Sequence, residues 1–117
     1  MNNDVVIYQS ADGLVKIEAM IDPSNETIWA TQKAMAELFG VNVSGISRHL
    51  VNVISSGEFD EKSNLQKMQI ANSDKPVAFY SLDVIISVGY RVNSIRATAF
   101  RQWATSVLKH YGLLRIL

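Results

Sequence analysis

The feature that most constrains this chain is Gly40, which separates two apolar periodicities of helical spacing. Before it, Thr31 offers a hydroxyl that can accept an orphan backbone N–H at a helix start, and Ala34, Met35, Leu38 and Phe39 then fall on one face. After it, Val43, Ile46, Leu50 and Val53 recur on one face of a second helix that starts near Asn42 or Val43 and runs to about Ser55. Glycine at the junction can take the left-handed conformation that reverses the chain within a few residues, and Ala36 is small enough for the second helix to cross close by. The stretch 31–55 therefore has the layout of a helix-turn-helix. An ordinary helical hairpin with one solvated face fits the same spacing.

Turning the second helix half round brings out Ser44, Ser47, Arg48, Val51 and Asn52, a strip of short hydrogen-bonding side chains with one guanidinium. A helix that enters a major groove to read base edges needs such a strip. Asn42, Ser44, Ser47, Arg48 and Asn52 are accordingly the candidate DNA-binding residues of this element, with Arg48 expected to read a base, guanine being the one a guanidinium pairs with in two bonds. His49 lies beside the inward face, and a partly buried, hydrogen-bonded position is expected for it.

Flanking segments supply strands. Val5–Tyr8 and Leu14–Ile21 read as a β-hairpin around Asp12-Gly13, with Val15, Ile17, Ala19 and Ile21 on the core face and Lys16, Glu18 and Met20 on the other. Thr27-Ile-Trp29 adds a short third strand, with Trp29 as a core anchor. Beyond the helices, Ser55-Ser-Gly57 breaks the pattern and Glu58–Glu61 is an acidic loop. Leu65–Ile70 and Pro76–Tyr80 then form a second hairpin, a wing over 65–80, with Met68 and Ile70 facing in and Lys67 and Gln69 out. Its tip carries Asn72, Ser73 and Lys75, which suits phosphate contact and suits a solvated hairpin tip equally. Lys67 and Lys75 complete the candidate DNA-binding set.

Two helices close the chain over 81–111. Ser81 caps the first, Leu82 to about Tyr90, which is apolar nearly all round and so belongs in the centre of the domain. Asn93 or Ser94 caps the second, where Ala97, Phe100, Trp103, Ala104, Val107, Leu108 and Tyr111 form an apolar stripe. Leu113, Leu114, Ile116 and Leu117 follow it. Apolar residues at a terminus that normally frays are expected either to cover a symmetric dimer contact or to dock a C-terminal region, and an N-terminal domain of a longer protein is the expectation. The fold class is α+β: a single winged helix-turn-helix-like domain over 1–117, with an N-terminal β-hairpin, a wing hairpin and two C-terminal helices.

Composition narrows the function classes. At 117 residues there is room for one domain with a real core. With no cysteine, neither a disulfide framework nor a thiolate metal site can form. The first residues lack a signal-peptide pattern, and the longest apolar run, Val84–Tyr90, is far short of the roughly 20 residues that span a bilayer, so a cytoplasmic protein without a membrane partner is expected. Net charge is zero, yet residues 1–61 hold three basic and nine acidic side chains whereas residues 62–117 hold eight basic and two acidic. That asymmetry permits an electropositive surface that attracts phosphate, and it also permits the two halves to neutralise each other across the fold.

The blocks Trp29-Ala-Thr-Gln32, Met35–Phe39, Ile46-Ser-Arg-His49, Gly57-Glu-Phe-Asp60, Phe79–Val92 and Phe100-Arg-Gln-Trp-Ala-Thr105 resemble the N-terminal region of the RhuM family of virulence-associated bacterial proteins, often encoded on mobile elements. Tyr80–Val92 is the most distinctive block. The Phe-Arg-x-Trp-Ala-Thr segment also resembles the N-terminal domains of phage antirepressors. The resemblance implies a DNA-binding module in transcriptional or mobile-element regulation. It implies no activity of the Fic type to which some relatives are fused, since the His-Pro-Phe and Gly-Asn-Gly-Arg signature is absent.

The leading expectation is thus a winged helix-turn-helix domain that binds double-stranded DNA, as a homodimer or with a further C-terminal region. The competing class is a protein-interaction module, antirepressor-like or self-associating, that does not read DNA. No enzyme and no cofactor are expected: His49 and His110 are the only imidazoles, and neither a phosphate-cradling Gly-x-x-x-x-Gly-Lys nor a His-Glu-x-x-His pattern occurs. Arg91 and Arg96, in or beside the distinctive block, lack a base, nucleophile or metal site to work with.

Overall fold

Alternation along the first hairpin builds a three-stranded sheet with one dry face. In this computed structural model, which describes residues 4–116 and the side chains of residues 4–112, strand β1 (Asp4–Gln9) pairs antiparallel with β2 (Lys16–Asp22), placing Gln9 opposite Lys16 and Asp4 opposite Ile21. Val15, Ile17, Ala19 and Ile21 are buried, while Lys16 and Glu18 are exposed and Met20 is half-buried. The connecting turn holds Gly13 at φ 76°, and the Asp12 carboxylate accepts from the Ser10 hydroxyl at 2.6 Å and the Leu14 N–H at 2.9 Å. Those two bonds, the Ser10 one foremost, keep the Asp12 carboxyl below its ordinary range. β3 (Thr27–Trp29) pairs with β2 on its other edge.

A second, two-stranded sheet, β4 (Leu65–Met68) with β5 (Val77–Tyr80), is the wing. One bridge joins the two sheets: Ala30 N–H donates to Tyr80 O at 3.1 Å and Tyr80 N–H donates to Ala30 O at 2.8 Å. The hairpin that follows the helix-turn-helix is thereby anchored beside the strand that precedes it.

The helices are α1 (Gln32–Phe39), α2 (Val43–Ser55), the single turn α3 (Glu61–Asn64), α4 (Leu82–Val92) and α5 (Ser94–Ile116). Thr31 caps α1 by accepting from Ala34 N–H at 3.1 Å, and Gly40 ends it in the left-handed conformation, φ 71° and ψ 34°. Ser81 caps α4 through Val84 N–H and Asn93 caps α5 through Arg96 N–H. The main core joins Ile17, Ala19 and Ile21 of the sheet to Met35, Leu38 and Phe39 of α1, Ile46, Leu50 and Val53 of α2, Val84, Ile85 and Val88 of α4, and Ala97, Phe100 and Ala104 of α5. Tyr8 meets α5 edge-on, its ring 5.2 Å from Phe100 and 5.1 Å from Trp103.

Several expectations need correction. Val43 is exposed, because the first position of α2 precedes the point where that helix meets the core. Trp103 and Val107 are half-buried: Ala104 between them still packs into the core, while these two larger side chains lie at its edge. The Glu58–Glu61 segment is not all loop: it leads into α3 at Glu61. α4 is central as expected, with Val84, Ile85 and Val88 fully buried, but it exposes Asp83, Tyr90 and Arg91 and extends to Val92. α5 continues through Gly112 to Ile116 instead of ending near Tyr111. The contacts expected of Leu113, Leu114, Ile116 and Leu117 lie outside the described side chains.

The wing needs a larger correction. β4 stops at Met68 and Ile70 is exposed in the loop. The face of the wing that meets the helical core is that of Leu65, Ala78 and Tyr80, whereas Phe79 is buried on the opposite face, apart from the main core. Trp29 is also buried apart from it, on the sheet face it shares with Met20, and its indole N–H donates to Asp22 at 3.0 Å. Lys67, two residues from Leu65, therefore sits on the helix side of the wing, exposed because the hairpin extends past the core.

Candidate nucleic-acid interface

The site starts from the α2 cap. Asn42 has extended backbone, and its side-chain oxygen accepts from Gly45 N–H at 2.7 Å and from the Ser44 hydroxyl at 2.8 Å. A Cβ on Gly45 would lie 3.1 Å from that oxygen, so the glycine lets the cap close tightly. Two of the candidate contact residues, Asn42 and Ser44, are thus tied to each other. The Asn42 amide hydrogens remain directed away from this bond and the Ser44 oxygen keeps its acceptor capacity.

Past the cap, Arg48, Val51 and Asn52 are exposed and Ile46, Leu50 and Val53 are buried, the two faces that the spacing predicts. The Arg48 guanidinium leans back over the first turn, 3.9 Å from the Cβ position of Gly45, in the direction helical side chains take. Among the described residues it has neither a hydrogen bond nor an ion pair. A guanidinium in this state can engage an anion or a guanine edge without first breaking an internal contact. His49 is half-buried, as expected, but among the described residues it makes no hydrogen bond, contrary to expectation.

Ser47 is half-buried and lines a groove of about 330 Å³ between α2 and the wing, together with Gln32, Val51, Ser55, Leu65 and Tyr80. Gln32 donates to the Tyr80 hydroxyl at 3.2 Å across the groove floor. Lys67 lies on the same wing face as Leu65, hence on the α2 side. Of the candidate residues Ser47 lines this groove and Lys67 shares the wing face of Leu65, while Asn42, Ser44, Arg48 and Asn52 lie on α2 outside the groove lining. Lys75 is exposed in the wing loop, whose Ile70 and Ala71 line a different groove with Val5, Lys16 and Met20 of the sheet and Lys33 and Glu37 of α1.

Val51, which the spacing puts on the outward strip of α2, is 64% exposed. Gln32 and Tyr80 are not among the residues that the sequence suggests. Gln32 could have been found as the first helical residue after the Thr31 cap. Tyr80 could not, because only the wing pairing puts its hydroxyl beside α1.

Charge is distributed without direct pairing. Lys62, Lys67, Lys75, Arg91, Arg101 and Lys109 are all exposed, and among the described residues no ion pair joins them to the acidic half. Tyr90 holds its phenol below the ordinary range through hydrogen bonds with Thr98 and then Arg101. Among the described residues no group of three His, Cys, Asp or Glu side chains could hold a metal ion, and no helix is long and apolar enough to cross a membrane.

Fold and site together define an α+β, winged helix-turn-helix-like domain with a polar outward α2. Residues 59–114 match the model of the virulence protein RhuM family, the family that the sequence blocks resemble. The match covers the wing, α4 and α5, while α1 and α2 precede it. No curated protein and no solved structure matches the chain.

Proposed function

We propose that this domain binds double-stranded DNA, with α2 entering the major groove and the wing following the backbone, in bacterial transcriptional or mobile-element regulation within the cytoplasm. The observation that carries the reading is Arg48, exposed and without an internal partner among the described residues, in the middle of a carboxylate-free helix. Arg48 and Val51 would meet base edges. Ser44, Ser47 and Asn52 would make supporting contacts, and Lys67 would hold a phosphate, the division of labour between base and backbone contacts that such interfaces use. A helix-turn-helix that reads a two-fold site does so as a dimer, with half-sites about one helical turn apart.

Selection of bound duplexes from a random pool, followed by titration of the selected site at several salt concentrations, tests the proposal. Enrichment of a defined sequence and a log–log salt slope of several units, from counterions released by phosphate contacts, are expected. Failure to enrich any sequence, with no salt-dependent shift, would favour the interaction-module reading. Sedimentation across concentration, with and without the selected duplex, tests the dimer.

A further inference from the structure

The segment between α4 and α5 is joined to the end of α1 by contacts that secondary structure alone does not require. The C-terminal carbonyls of a helix lack intrahelical partners. In α1, Gly40 N–H and Val41 N–H both go to Ala36 O, at 2.9 and 3.1 Å, which leaves the carbonyls of Glu37, Leu38 and Phe39. The last two are met from more than fifty residues away: the Arg96 guanidinium donates to Leu38 O at 3.3 Å and the Asn93 side-chain amide donates to Phe39 O at 3.3 Å.

Each donor is held for the task. Asn93 uses its two ends separately, its oxygen accepting from Arg96 N–H at 3.2 Å to cap α5 while its nitrogen caps α1. The Arg96 guanidinium lies 3.3 Å from where a Cβ on Gly40 would stand, so it covers the turn itself. It also brings a positive charge to the negative end of the α1 dipole, where α1 has no basic residue in its own last turn.

We infer that Asn93 and Arg96 are positioning residues for the helix-turn-helix: they fix the end of α1 and the Gly40 turn, and through that turn the direction in which α2 leaves. The segment that matches the family model would then act on the reading helix from outside it. Only the consequence for binding rests on the proposed DNA-binding function; the effect on the turn stands apart from it.

The test compares Arg96→Ala, Arg96→Lys and Asn93→Asp. Asn93→Asp keeps the oxygen that caps α5 and removes the donor to Phe39 O, so it folds without needing the clasp. Amide hydrogen exchange is read at Gly40 and Val41, with the β2 amides as an internal reference. Exchange at the turn is expected to rise about five- to tenfold in Arg96→Ala and Asn93→Asp, the equivalent of one lost hydrogen bond, with the β2 amides unchanged and with partial recovery in Arg96→Lys. Affinity for the selected duplex should fall in the same order. Turn exchange that is unchanged, or that rises equally with the β2 amides, overturns the inference. Faster turn exchange in a protein that binds no duplex supports the positioning role and refutes DNA binding instead.

Discussion

Gly89 of α4 passes the Phe39 ring so closely that a Cβ on it would lie 2.5 Å from Phe39 Cζ and 2.8 Å from Ala97 Cβ. This contact seats the α4–α5 corner on the end of α1, where Asn93 and Arg96 make their bonds. Two effects oppose each other in Gly89→Ala. Alanine is the better helix former by about 1 kcal/mol, but the methyl group must push apart a buried aromatic and a neighbouring helix, which costs about 1–3 kcal/mol in a packed core. Because Phe39, Gly89 and Ala97 are all buried, the clash should win and Gly89→Ala should lower the midpoint of denaturant unfolding. Gly112→Ala is the control. It lies inside α5 with nothing among the described residues within 4 Å of its Cβ position, so propensity acts alone and the midpoint should rise.

Phe100 and Trp103 separate full from partial burial in one aromatic cluster. Phe100 is fully buried and Trp103 half-buried, their rings 5.4 Å apart. Phe100→Ala should destabilise by about 3–5 kcal/mol, the range for emptying an aromatic core site, and Trp103→Ala by less. Chemical denaturation of both variants decides it, and equal losses would show that α5 is covered beyond Ala104 in solution.

Asp22 predicts a pH dependence. Burial pushes its carboxyl up, but hydrogen bonds from the Asn25 side chain, Trp29 and the backbone outweigh that and hold it below the ordinary range. A carboxyl lowered in the folded state stabilises fully above its unfolded pKa of about 3.9, and the contribution is lost as pH falls from there through the folded value. Asp22→Asn sets an N–H₂ against donors from Asn25 or Trp29. It should cost about 1–3 kcal/mol near neutrality and shrink the fall in stability between wild type and variant below about pH 4. Thermal unfolding between about pH 2 and 7 measures both.

What the sequence made legible was whatever depends on local periodicity and caps. Thr31, Gly40, Asn42 and Ser81 all act as expected because each acts on residues within four positions of itself. The wing faces were misread because alternation says which residues share a face but not which face meets the helices; the Ala30–Tyr80 bridge decides that. Arg96 was unreadable for the same reason, since its partner Leu38 O lies fifty-eight residues away. Lys67 and Lys75 looked equivalent in the sequence, and only the fold separates them.

That separation gives the sharpest prediction for the candidate interface. Arg48 is exposed without an internal partner, so Arg48→Ala removes no folded-state contact and stability should change by less than about 0.5 kcal/mol. A bidentate contact to guanine discriminates by about 1–3 kcal/mol, so the same variant should lose that much affinity for the selected duplex and relax preference at one base pair. Lys67→Ala should instead weaken all duplexes alike and lower the salt slope by about one unit, the mark of a phosphate contact. Lys75→Ala should do less, because Lys75 sits in the wing loop and not on the β4 face that carries Leu65. Binding curves for the three variants on selected and scrambled duplexes, each at three salt concentrations, read all of these together. If Arg48→Ala leaves affinity and base preference intact while Lys75→Ala removes binding, DNA approaches the wing tip and α2 is not the reader.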